Sequence, residues 1–204
     1  TDVGGALAAS GTSVTLTGTT SVGTTTSLIS TTGNITDTGD GNLQATGTTD
    51  LNAAGDVTLD AVEGSSLIVN DFGGEVTTTA TGNANLVGIN SSLTLGATDV
   101  GGSLTASGTS VTLTGTTSVG TTTSLTSTTG DITDTGDGNL QATGTTDLNA
   151  AGDVTLDAVD GAGLIVNQFG GEVTTTATGN AKLVGMNNLP LGTTNVGGAL
   201  DATA

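Results

Sequence analysis

The side chains of this 204-residue chain that are equipped for chemistry are almost all carboxylates, 19 Asp and Glu against the single base Lys182. Asp37, Asp40, Asp50, Asp56, Asp60, Glu63, Asp71 and Glu75 fall in the first half, and most recur in the second. Hydrolysis by a carboxyl pair needs one acid with a raised pKa in a shaped cleft, and sugar-cleaving clefts usually add aromatic platforms and bases. The chain has no His, no Trp and no Tyr. The expectation is therefore no enzyme and no catalytic residue.

Cation binding asks for less. Oxygen-rich, glycine-turned loops suit Ca²⁺, and Asp37-Thr-Gly-Asp40-Gly-Asn42 recurs as Asp134-Thr-Gly-Asp137-Gly-Asn139. The candidate ligands are thus Asp37, Asp40, Asn42, Asp134, Asp137 and Asn139, with Ca²⁺ as the only cofactor in view. The loop matches neither the helix-loop-helix calcium pattern nor the glycine-rich nonapeptide pattern. The plainer reading is a set of turn residues that keep the chain soluble.

Hydroxyls supply a third possibility. Thr15, Thr36, Thr58, Thr77, Thr94, Thr112, Thr133, Thr155 and Thr174 each follow an aliphatic residue in the same kind of phrase. On stacked strands they would line one outer face, and such a Thr ladder resembles the surface of ice-binding β-solenoids. A companion row begins with Thr17, Thr38 and Thr79, but Asp60 and Gly96 interrupt it and Pro190 breaks the main row. Thr also favours exposed β-faces for reasons of shape alone.

What must position these groups is not an ordinary globular core, for the chain has only two Phe and no Cys, with Val, Leu, Ile and Ala as its apolar stock. Its 35 glycines and many threonines suit short strands joined by tight turns. A net charge of −18 repels nucleic acid and anionic lipid, so neither is expected as a partner. No apolar run approaches the ~18 residues that span a bilayer, so no membrane insertion is expected. One Pro and regular apolar anchors argue against disorder.

Residues 2–98 and 99–194 are tandem copies offset by 97, and a third begins at 195–204. Over residues 2–90 the copies differ at positions 6, 8, 29, 34, 63, 65, 66, 71, 85 and 89 alone. There is no initiator Met or signal peptide, and Asp2-Val-Gly-Gly-Ala-Leu7 returns as Asn195-Val-Gly-Gly-Ala-Leu200, so a longer array is the expected context.

Inside each copy a shorter phrase repeats, at Val14-Thr15, Ile35-Thr36, Val57-Thr58, Val76-Thr77, Leu93-Thr94 and Val111-Thr112. Its steps of 21, 22, 19, 17 and 18 residues predict five coil turns per copy. A second set, Leu7, Leu28, Leu51, Val69, Leu86 and Leu104, precedes it, and a third, Val22, Leu43 and Val100, follows. Three short strands per turn, stacked in parallel, would put these residues in inward columns about 4.8 Å apart per turn. The predicted core is Leu7, Val14, Val22, Leu28, Ile35, Leu43, Leu51, Val57, Val69, Val76, Leu86 and Leu93. None of the ten differences falls on it, and Ile29→Thr lies one residue away from Leu28, on the outer side of the pleat.

The expected fold is thus all-β, one continuous right-handed parallel β-helix over 1–204, right-handed by the general preference of parallel crossovers. Ten turns would make a rod about 50 Å long, each copy advancing roughly 24 Å. The rival is a string of immunoglobulin-like sandwiches, one per copy, forming a calcium-stabilised adhesin. Two Phe are thin material for such cores.

The phrases Leu51-Asn-Ala-Ala-Gly-Asp-Val-Thr-Leu59, Gly74-Glu-Val-Thr77 and Gly82-Asn-Ala-Asn-Leu86 resemble the repeats of filamentous-haemagglutinin-like exoproteins, the large adhesins of two-partner and autotransporter secretion. The resemblance implies a β-helix shaft secreted by a Gram-negative bacterium, extracellular or on the cell surface, with a role in adhesion or biofilm. The family's secretion domain has no counterpart here. The expected partners are further copies of the repeat, in the same chain or stacked end to end, and neighbouring fibres.

Overall fold

The computed structural model describes residues 1–61, 70–88, 90–159, 164 and 166–204. Every strand pairing among them is parallel, and the strands form three stacks around one aliphatic interior. The chain is a β-solenoid of about nine turns with three strands per turn. Antiparallel sandwiches are ruled out, and with them the tandem-domain rival.

The pleat explains the core. In Thr49–Ala53 and Thr146–Ala150 residues are alternately buried and exposed, and in Thr26–Ser30 every second residue is buried, so each short strand turns one face inward. Val22, Leu28, Ile35, Leu43, Leu51, Val57, Val76, Leu86 and Leu93 are all buried. Leu7 and Val14 are only partly so, because they lie in the first turn and have a neighbour on one side alone. Val69 and Glu63 lie outside the described residues. Ile29, where the second copy has Thr, is 37% exposed, as the pleat requires of a position that tolerates the exchange.

Three sheets make the sides. The longest unforked sheet (the long sheet) has nine strands and runs through both copies from Val14–Leu16 to Leu191–Val196, while the forked sheet has thirteen. A four-stranded sheet holds Asp2–Val3, Thr19–Val22, Asn42–Ala45 and Asp71–Phe72. The third begins as a single stack, Leu7–Gly11, Thr26–Ser30, Thr49–Ala53 and Glu75–Ala80, and forks at the eight-residue strand Leu93–Val100. Leu93–Leu95 pair with Val111–Leu113 to start one prong, while Thr98–Val100 pair with Thr117–Val119 to start the other. The two prongs and the long sheet are the three sides of the second half.

The columns differ from those expected. Val14, Ile35 and Val57 do stack, but the next residue above Val57 is Ala84, 27 residues on. Val76 lies on another side, over Thr49 and under Leu95, and Val111 stacks on Leu93. Of the second set, Leu28 and Leu51 are stacked, Leu7 meets Thr26, and Leu86 lies in the long sheet between Leu59 and Ala106. The physical reason is one long turn. Like phrases predict equal turns, yet the step from Val57 to Ala84 takes 27 residues where the two before it take 21 and 22, which moves every later phrase round the coil.

One copy therefore makes four turns and a third, not five. From Leu7 the same side is reached at Thr26, Thr49, Val76 and Leu95, and the counterpart of Leu7, Leu104, lies one side further on, in the long sheet above Ala84. The advance is about 21 Å per copy at 4.8 Å per turn.

Candidate functional site

Two polar constructions hold the corners. The first follows from the phrase Gly-Asn/Asp-aliphatic. Asn34 Oδ1 accepts the Asp56 N–H at 2.9 Å, Asp56 Oδ1 that of Asn83 at 2.7 Å, and Asn83 Oδ1 that of Ser103 at 2.9 Å. Asp131, Asp153 and Asn180 repeat the row up to the Ala199 N–H. Each Asx side chain thus satisfies a backbone donor one turn up, where the corner interrupts the sheet. The glycine before it is required by space: a Cβ on Gly55 would lie 2.1 Å from Asn34 Oδ1, and one on Gly82 2.2 Å from Asp56 Oδ1.

The second construction is a buried Asp–Asn clamp. Asp37 Oδ1 accepts the Asp60 N–H at 3.2 Å, while Oδ2 accepts the Ala61 N–H at 3.1 Å and Asn70 Nδ2 at 2.7 Å. Asn70 Oδ1 in turn accepts the Leu43 N–H at 2.7 Å. Asp134 and Asn167 repeat this with Asp157, Ala158 and Leu140. Asp60, Ala61 and Asn70 are so tied to the turn below. Burial pushes the Asp134 carboxyl above its usual range, against the lowering pull of the Asn167, Asp157 and Ala158 donors. Asn70 and Asn167, each wholly buried, were not singled out from the sequence. Their signal was an Asn at the end of an apolar run in both copies.

The expected calcium ligands are placed as follows in this geometry. The Asp37 and Asp134 oxygens point inward and are already occupied by N–H donors, which repel a cation. Asp40 and Asp137 are exposed on the turn tip. The Asn42 and Asn139 amides donate to the Asp40 and Asp137 carbonyls and to Thr19 and Thr116 hydroxyls. Ca²⁺ wants six to eight convergent oxygens, and the Asp37 and Asp134 carboxylates each already accept three N–H donors. Among the described residues no three Asp or Glu converge as a metal group.

The other carboxylates are spread too. Asp50 accepts from Thr77 at 3.0 Å, and Asp60 from the Asn85 amide at 2.6 Å. Glu75 reaches across Gly96 to the Thr114 hydroxyl at 2.9 Å, and Asp71 lies on the outer side of the four-stranded sheet. Lys182 stands where the first copy has Asn85 and pairs with Asp157 at 2.6 Å.

The nine threonines do not form one ladder. Thr15, Thr36 and Thr58 stack in the long sheet and then meet Asn85, while Thr94, Thr112, Thr133 and Thr155 stack on one prong and then meet Lys182. Thr77 lies over Asp50 and Thr174 over Asp147. The long turn that shifts the columns divides the row.

One surface feature occurs twice. A groove of about 420 Å³ runs past Asp2, Ser21, Gln44 and Asp71, and its counterpart of about 500 Å³ past Asp99, Ser118, Gln141 and Gln168. Glycines line the corner of each, Gly23 and Gly120 among them.

No curated protein and no solved structure matches the chain. A family described as repeats of unknown function matches residues 4–79, 81–133 and 115–176. These stretches cover most of both copies and cross the boundary between them, so the chain belongs to the repeats of unknown function DUF5649.

Proposed function

We propose that this chain is a shaft segment of a secreted fibre, whose work is length, stiffness and the display of what it carries. The observation that supports this most is the long sheet, which passes from one copy to the next without a joint. Each turn covers the backbone edge of the turn below, so copies add length without adding exposed edges. The outer faces are polar and acidic, which discourages sideways pairing of strands.

The reading is non-enzymatic. The carboxylates are used in corner bonds or spread over the surface, with one base in the whole chain. Its partners are further copies of the repeat, continuing the coil in the same chain or stacked end to end, and neighbouring fibres. Nucleic acid is repelled by the net charge of −18. The resemblance to filamentous-haemagglutinin-like exoproteins supports placement outside the cell or on its surface, in adhesion or biofilm structure.

The test is antibody labelling of the source cells before and after permeabilisation. Labelling of intact cells, removed by external protease, is the expected result. Signal that arises only after permeabilisation overturns the reading.

A further inference from the structure

Equivalent residues of the two copies face different sides of the rod. The strands Leu7–Gly11, Thr26–Ser30 and Thr49–Ala53 belong to the forked sheet, but their counterparts Leu104–Gly108, Thr123–Ser127 and Thr146–Ala150 belong to the long sheet. Val14–Leu16, Ile35–Asp37 and Val57–Leu59 belong to the long sheet, and their counterparts form the first prong. The four-stranded sheet maps onto the second prong in the same way. Everything on the surface moves with them, the paired grooves and the exposed turn tips at Asp40 and Asp137 included.

We propose that a tandem array of this repeat is a three-fold screw, which presents each surface feature on its three sides in rotation and returns to the starting side after three copies and thirteen turns. The inference rests on the reading of the chain as a shaft of tandem copies, and it adds the geometry of display. Its cause is built into the end of the repeat. At the fork the pairing slips between Val76 and Thr78, and Glu75 occupies the space over Gly96 that a side chain would fill. The same slip recurs between Val173 and Thr175, with Glu172 over Gly192, and this second time it lies in the long sheet, one side further round. A repeat that ends in the same way each time rotates each time.

Two consequences follow for recognition. A partner that binds one copy finds the next about 21 Å along and on another side, and finds the same side again only after about 62 Å. Like carboxylates are also kept off a common stripe: Asp50 lies on the forked sheet and Asp147 on the long sheet. Spreading the charge round the rod lowers its self-repulsion along any one flank.

The chain has no Cys, so D40C/D137C places two labels cleanly on exposed turns. Dipolar electron resonance should give about 27 Å between them, the rise of about 21 Å combined with the width of one side, about 17 Å for five residues. A distance of about 21 Å puts both on one side and overturns the screw. A six-copy array labelled at each Asp40 equivalent and imaged by electron microscopy should show labels leaving in three directions, with same-side spacing of about 62 Å. Single file along a straight rod overturns the screw and leaves the shaft standing, whereas a beaded or bent array overturns both.

Discussion

Asp37 illustrates how a buried carboxyl group is held in a narrow aliphatic coil. Its two oxygens receive three N–H donors from the corner above, and burying an acid is tolerable only under such conditions. D37N replaces one acceptor oxygen by an N–H donor, which then faces either the Asp60 N–H or the Ala61 and Asn70 donors. The expected loss is about 2–3 kcal/mol of folding stability, read as a shift in urea midpoint. D40N, on the exposed tip of the same loop, should leave the midpoint unchanged.

Asp134 sets the sign of a pH effect. Its carboxyl is raised above 3.8 in the fold, so between the unfolded and folded values the native state binds more protons and stability falls as pH rises. Stability should therefore increase on acidification from neutral pH, the Asp134 contribution being complete once the pH falls below its unfolded value. Relief of the net charge of −18 acts in the same direction. Melting at stepped pH should show the rise, and D134N should flatten part of it. A melting temperature that falls steadily from pH 7 to pH 5 contradicts this.

At the scale of strands and turns, pairing is what the fold adds to the phrases. Thr58 stands beside Asn85, and Thr77 beside Asp50. Neighbouring strands bring facing Cα atoms to about 4.8 Å, within disulfide range. T58C/N85C should therefore cross-link on mild oxidation, while T58C/T77C should stay reduced in the folded chain. Mass spectrometry of the oxidised variants decides, and the reverse pattern would restore five equal turns. The 27-residue step from Val57 to Ala84 sets this register, and Asp37 with Asn70, like Asp134 with Asn167, ties that turn to the one below.

The whole molecule is a stack of eight steps between nine turns, about 38 Å long. Among the described residues one interior cluster runs from Leu16 to Leu183 across the copy boundary, which favours one cooperative core over two separate ones. Because the acidic loop does not gather its oxygens, Ca²⁺ and chelator should leave the melting temperature equal. A calcium-dependent rise of several degrees would show a site that the loop geometry lacks.

Much of this was legible in the residues. Short strands, glycine corners, inward aliphatic alternation and the parallel coil follow from local pattern, because a pleat and a tight turn are decided by neighbours in the chain. The tolerance of Ile29→Thr was legible for the same reason. Which phrase stacks on which was not. Val57-Thr58 and Val76-Thr77 are alike in type, and a parallel ladder pairs backbone with backbone whatever the phrase, so identity alone chooses no partner. Tertiary structure decided it, through the 27-residue step from Val57 to Ala84 and the fork at Leu93–Val100. Those two features divide the threonines and turn each copy one side beyond the last.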